Sequence, residues 1–252
     1  MHPTIFGFID SYSLFIFIGA CFAFLILYLL LKKDKKEFNF FLDLVISGTV
    51  SIIIGIVFAM LYENLYEYFK DPKNYKFTYG MTFYGGLFGG VFTFLIIYFL
   101  YLRKKYKNCI TEILKVAPVC ILIAHAFGRI GCFLAGCCYG IETDSAIGVE
   151  FVSTPGIKVI PTNLIEAIFL FLFFIVLFIS VYKYDFKYSM SLYLLLYSIF
   201  RFIIEFYRGD ERGAFLGPLS PSQVWCIGLF ALSIPVLFIT KYLNKHEKNT
   251  IS

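Results

Sequence analysis

Arg201, Glu205 and Arg208 in the stretch RFIIEFYRGD follow the spacing i, i+4, i+7, which predicts three charges on one helical face. The stretch closes an apolar run. An ionisable side chain in such a run faces the protein interior or a water-filled cavity and marks a functional site by default. A second arginine, Arg129, stands four residues after His125 in HAFGRIGCFLAGCCYG, so the two share a face if the helix continues. Arginine grips a phosphate with two parallel N–H donors, which a lysine cannot do. Arg129 and Arg201 therefore predict a joint grip on one phosphate, with Glu142 or Asp43 as the alternative, purely structural partners of Arg129. Gly128, Gly131, Gly136 and Gly140 frame this stretch, and glycine lets a backbone turn sharply or approach a ligand closely.

Cys132, Cys137 and Cys138 form C-x4-C-C beside the same arginine. Three readings stand together. They are small buried hydrophobes, reactive thiols whose pKa a neighbouring cation lowers, or metal ligands. The spacing lacks the C-x2-C pair of common zinc sites, so the expectation is no metal. Cys21, Cys109, Cys120 and Cys226 complete the seven, in or beside apolar runs. No secreted disulfide framework follows from such a pattern.

The elements that must position these residues are membrane spans. The chain has 252 residues, 60% hydrophobic and 15% charged, with a mean hydropathy of +0.79. A soluble domain is about half apolar and a quarter charged. A span needs roughly 17–25 mostly apolar residues, and seven runs qualify: 13–31, 40–62, 80–102, 110–134, 163–182, 189–207 and 222–240. The fourth is interrupted by polar residues in its last third. The expected class is an all-α integral membrane protein of about seven transmembrane helices, with 1–252 as one polytopic domain. Connections that are inside for an N-out chain carry 13 Lys and Arg against 6 outside, which predicts N-out, C-in. The start lacks a basic leader and a small-residue cleavage site, so no cleavable signal peptide is expected.

The net charge of +5 sits in short clusters beside the apolar runs, where lipid headgroups and topology account for it. No nucleic-acid partner and no cofactor are expected. The bilayer supplies the phosphate, as a phospholipid headgroup. The topology brings GMTFYGG, GRIGCFLAGCCYG, IPTNLIE and RFIIEFYRGD to the outer face.

Segment by segment, the chain resembles the bacterial prolipoprotein diacylglyceryl transferases over nearly its full length. The stretches that carry the resemblance are YSLFIFIGACFA, GMTFYGGLFGG, GRIGCFLAGCCYG, IPTNLIE, RFIIEFYR and SPSQ. The resemblance implies transfer of the diacylglyceryl group of phosphatidylglycerol to the thiol of a lipobox cysteine, with release of glycerol phosphate, in the bacterial cytoplasmic membrane. It implies that Arg129 and Arg201 hold the lipid phosphate, with Glu205 and Arg208 as supporting charges. Tyr12, Gly85, Gly86, Glu166 and Gln223 also match the family pattern, and with His125, Glu205 and Arg208 they make up the expected substrate-binding set.

The chain departs from that pattern at chemically important places. Tyr84 stands where the family has a His before Gly-Gly. Cys132 and Ala135 replace signature asparagines, and Cys137 replaces a glutamate. Ile160, Asn163 and Ile165 replace a His, a Gln and a Tyr. A neutral imidazole with a pKa near ~6.5 takes a thiol proton at pH 7, whereas a phenol near ~10 must first ionise. Tyr84, Cys132, Cys137 and Cys138 are therefore expected catalytic residues beside the two arginines. The acceptor is a prolipoprotein or another nucleophile. Three alternatives remain: a non-catalytic phospholipid-binding or assembly protein, a transferase with a covalent cysteine intermediate, and a membrane thiol oxidoreductase.

Overall fold

The computed structural model describes residues 4–5, 9–73, 75–107, 109–209 and 219–251. Arg212, one of the six outer basic residues, lies outside them. Among the described residues, seven helical spans are long and apolar enough to cross a membrane. They are built on α1 (Ser11–Lys33), α2 (Phe38–Lys70), α3 (Phe83–Ile97, whose span runs on to Lys105), α4 (Cys109–Ala135), α5 (Thr162–Tyr184), α6 (Ser189–Ile204, whose span runs on to Tyr207) and α7 (Pro221–Ile251). Two short antiparallel pairs accompany them, β1 (Thr4–Ile5) with β2 (Ile9–Asp10) and β3 (Val149–Glu150) with β4 (Lys158–Val159). At ~1.5 Å per residue, a 23-residue helix reaches about 35 Å, enough for the ~30 Å hydrocarbon core.

The helix ends differ from the sequence expectation for readable reasons. At 33 residues, α2 runs eight residues past the predicted end at 62, because Glu63, Glu67 and Lys70 are good helix formers that a hydropathy window rejects. Phe83 rather than Gly80 opens α3, so Gly80 to Thr82 precede the helix. After Ile97 it continues through a π turn, Tyr98–Leu102, and the short turn Arg103–Lys105. The fourth span is continuous: α4 carries Pro118 inside and keeps helical geometry through His125 and Arg129 to Ala135.

The chain divides into two compact units, 34–110 and the remainder. In the first, α2 and α3 pack through glycines. A Cβ on Gly85 would meet the Phe58 carbonyl at 2.9 Å, and one on Gly55 the Gly86 carbonyl at 2.9 Å. Asp43, an acid within α2, accepts hydrogen bonds from Lys105 Nζ and the Tyr106 hydroxyl, each at 2.7 Å. That pairing satisfies a charge that would be costly alone in a span.

The second unit holds α1, α4 from residue 111, and α5 to α7. Asp10 caps α1, its Oδ2 accepting the Ser13 N–H at 2.7 Å, as an N-cap carboxylate does. The α4 start, the α5 end and the α6 start are pinned together. Buried Lys115 lies 2.9 Å from Asp185 and 3.2 Å from Glu112, and Ser189 Oγ donates to the Lys115 carbonyl at 2.6 Å. The opposite ends of the same helices gather most of the expected functional residues.

Candidate active site

Glu166 is the centre of this gathering. It lies on the first turns of α5, 1% exposed, and α4 turns two side chains toward it. His125 Nε2 is 3.6 Å from Oε1 and Arg129 Nε is 3.0 Å from Oε2. The predicted shared face of His125 and Arg129 is thus the face toward α5, and the partner of Arg129 on it is Glu166. From α6, the Tyr197 hydroxyl donates to Glu166 Oε1 at 3.1 Å, with its ring edge-on to His125. Arg129 Nε approaches the carboxylate without hydrogen-bond alignment. It forms a close ion pair whose donors are not all committed.

Arg201 forms a second pair. Its Nη2 lies 2.7 Å from Glu205 Oε2, both side chains buried, and its buried Nη1 makes no hydrogen bond among the described residues. The charge of Arg201 reaches Glu166 as well, so Glu166 sits in the field of both guanidinium groups. A buried carboxylate so placed offsets part of the cost of burying guanidinium charge in a low-dielectric interior.

The expected helical register of Arg208 does not hold. The helix ends at Ile204, Glu205–Tyr207 form a 3-10 turn, and Arg208 is extended with φ −76° and ψ 138°. Its burial at 8% is achieved by a backbone strap instead. Ile141 N–H donates to the Tyr207 carbonyl at 2.9 Å and Gly209 N–H to the Tyr139 carbonyl at 3.3 Å, around an isolated bridge of Gly140 with Arg208. Gly140 must be glycine here, because a Cβ would strike the Tyr207 carbonyl and lie 2.9 Å from the Ile160 carbonyl.

The cysteines follow from the way α4 ends. Gly136, at φ +70°, donates its N–H to the Phe133 carbonyl, and Cys137 donates to the Cys132 carbonyl. This is the paired Schellman arrangement that reverses a chain at a helix C-terminus. It folds Cys137 and Cys138 back over Cys132, and the three sulfurs lie within 4.8 Å of one another. Asn163 Nδ2 donates to the Cys137 carbonyl at 2.8 Å and Thr162 Oγ1 to the Cys138 carbonyl at 3.1 Å. The Cys137 thiol donates to the Cys132 carbonyl at 3.6 Å, and the two neighbouring thiols, with the nearby Arg208 guanidinium, hold the Cys138 thiol below its ordinary range.

Of the remaining expected residues, Tyr12 opens α1 with its backbone against Gly131, where a Cβ would lie 3.2 Å from the Tyr12 carbonyl. Gln223 is taken by the start of α7. Its Oε1 accepts the Ser220 N–H at 3.0 Å while its own N–H donates to Ser220 Oγ at 3.3 Å, a capping box. Ser220 Oγ also donates to Glu205 Oε1 at 2.9 Å. The expected substrate contact at Gln223 thus has a structural explanation that links α7 to the Arg201 pair. Tyr84, Gly85 and Gly86 lie on the first turn of α3 in the other unit, Tyr84 half-buried.

Sequence reasoning missed Tyr197 and read Ser220 only as the first residue of SPSQ, without a role at the site. The signal for Tyr197 was present, since Tyr193, Tyr197, Arg201 and Glu205 repeat at four-residue spacing. The signal for Ser220 was the S-x-x-Q box itself.

Known proteins similar to this chain identify its family. A family model described as prolipoprotein diacylglyceryl transferase matches residues 4–239. A phosphatidylglycerol–prolipoprotein diacylglyceryl transferase of Clostridium tetani is 37% identical over 143 residues, 55% of this chain and 56% of the relative. A second, of Clostridium perfringens, is 36% identical over 132 residues, 50% of this chain and 51% of the relative. A third, of Clostridioides difficile, is 35% identical over 156 residues, 60% and 59% of the two chains. The chain spans about half the length of the first two relatives it matches. With a family match over nearly all of its length and seven apolar helices, the chain belongs to the prolipoprotein diacylglyceryl transferase family and is a multi-pass membrane protein.

Proposed function

We propose that the protein transfers the diacylglyceryl group of phosphatidylglycerol, or a related phospholipid, to the cysteine thiol of a prolipoprotein or a similar acceptor. The observation that carries this reading is the pair of buried arginines at one set of helix ends, Arg129 against Glu166 and Arg201 against Glu205. Buried guanidinium groups with donors to spare, such as Arg201 Nη1, suit a phosphodiester that arrives and leaves with turnover. The acceptor sulfur attacks the glyceryl carbon that bears the phosphate ester. The C–O bond breaks, and glycerol phosphate leaves with the bonding electrons. Arg129 and Arg201 stabilise the charge that collects on the leaving phosphate.

Tyr84 occupies the place of the family's histidine, so proton removal from the acceptor does not fall to an imidazole at that position. An acceptor thiol with a pKa near ~8.5 is partly ionised at neutral pH, and neighbouring guanidinium charges lower that value further. The site then needs to hold a thiolate more than to generate one. The same substitution favours a second reading, phospholipid binding without turnover.

The proposal includes an N-out, C-in topology in the bacterial cytoplasmic membrane, with the two compact units acting as one domain over 1–252. A reporter fused after Lys245 will read as internal, and an external signal overturns the orientation. The activity is tested by expressing the chain in cells depleted of their own transferase. Recovery of lipidated prolipoprotein supports transfer, while lipid retention without recovery supports the binding reading.

A further inference from the structure

We propose that Cys132, Cys137 and Cys138 form a trithiolate site for a thiophilic d10 cation, Zn2+ or Cu+. The three sulfurs lie within 4.8 Å of one another. A Zn–S bond of ~2.3 Å sets sulfur–sulfur edges of about 3.8 Å in a tetrahedron and about 4.0 Å in a plane. Contraction to either geometry moves each sulfur by less than an ångström. The C-x4-C-C spacing hides this arrangement, because ordinary zinc pairs rely on C-x2-C loops. Here the Schellman turn at the end of α4 takes the place of such a loop, bringing Cys137 back over Cys132 through its N–H bond to the Cys132 carbonyl.

The turn is held rather than loose. Cys138 has a φ of +61°, a left-handed conformation that is strained for a non-glycine residue. Thr162 and Asn163 clamp the two carbonyls that flank this strain. Cys132 is buried and Cys137 is exposed, so a cation enters from the surface and meets a preformed floor. Three thiolates around a divalent cation leave one negative charge, and Arg129 and Arg208 lie within electrostatic reach of the cluster to offset it. Soft sulfur donors select Zn2+ and Cu+ over Mg2+ or Ca2+. Zn2+ with three protein ligands keeps a fourth position for water or an added thiol, whereas Cu+ fills a trigonal site. Binding is exchange of three thiol protons for the ion, without change of oxidation state.

The test uses the full chain in detergent, reduced and handled without oxygen. Zn2+ or Cu+ is added, excess is removed with a competing chelator, and retained metal is measured by elemental analysis. One ion per chain is expected for at least one of the two metals. Cys132→Ser, Cys137→Ser and Cys138→Ser are each expected to lose at least ten-fold in retention, while Cys120→Ser keeps it. In the unaltered chain, bound metal is expected to protect Cys132, Cys137 and Cys138 from alkylation, and chelation is expected to restore labelling. This second readout needs no variant to fold. Retention of neither metal, retention unaffected by all three serine changes, or alkylation that ignores the metal overturns the proposal. So does an intact mass lighter by two hydrogens under reducing conditions, the signature of a disulfide. No lipid or acceptor enters the assay, so its outcome is independent of the transferase reading.

Discussion

Replacing Glu166 with Gln removes one charge from the site and changes its shape little. In the native chain this carboxylate is 1% exposed and lies 3.0 Å from Arg129 Nε, 3.6 Å from His125 Nε2 and 3.1 Å from the Tyr197 hydroxyl. Removing one partner of a buried ion pair strands the other charge, at a cost of about 3–5 kcal/mol. The glutamine carbonyl still accepts the Tyr197 hydrogen bond, which is worth about 1 kcal/mol, so the expected loss lies at the lower end, about 3 kcal/mol. Arg129→Gln alone strands Glu166 and costs a similar amount. The double variant strands neither, so a double-mutant cycle is expected to give a coupling of about 2–3 kcal/mol. Denaturant unfolding in detergent measures all four corners. Glu142→Gln, at an exposed position, serves as the control and is expected to stay within ±0.5 kcal/mol. If the two single losses simply add in the double variant, the two groups do not hold each other and the description of the site is wrong.

Arg129→Lys and Arg201→Lys keep the charge but lose the planar fork, and each is expected to lower transfer by ~10²-fold or more with the chain still inserted. Near-native rates in a transfer assay for both would remove the phosphate role. Gly140→Ala places a methyl group against the Tyr207 carbonyl and 2.8 Å from Thr162 Cγ2, so it is expected to open the strap that buries Arg208 at a cost of about 1–3 kcal/mol. Protease sensitivity between residues 136 and 162 reads this directly, and an unchanged pattern refutes it. Tyr84→Phe is expected to leave transfer within a few-fold, because a phenol near ~10 is a poor base at pH 7, whereas Tyr84→His is expected to raise it toward the ~10²–10⁴-fold of a positioned base. A large loss on Tyr84→Phe contradicts that assignment.

The seven spans were legible because the runs are apolar on every side, so length alone identifies them. Hydropathy could not see the last eight residues of α2, which project as a charged helix, nor the π turn that carries α3 on to Lys105. At the site, periodicity placed His125 and Arg129 on one face but could not name Glu166 as their shared partner, since that contact joins residues 37 and 41 positions apart. The helical spacing of Arg201, Glu205 and Arg208 misled at its third member. The helix stops at Ile204, and a backbone bridge of Arg208 to Gly140, 68 positions back, buries the side chain. The three cysteines were legible as a motif, but their closure into one cluster was not, for a related reason. Its proximity is created by a capping turn, and no side-chain period encodes that turn. Gln223 shows the opposite case, a residue that the family resemblance marks for substrate and that the capping box accounts for locally.

The central claim is transfer, and it is tested most directly with purified protein, phosphatidylglycerol labelled in its acyl chains, and a lipobox peptide carrying one cysteine. The account predicts a labelled thioether on the peptide with one glycerol phosphate released per adduct, abolished when the peptide cysteine is serine and strongly reduced by Arg129→Lys. Lipid that binds and survives prolonged incubation with the thiol peptide, yielding neither adduct nor glycerol phosphate, contradicts it.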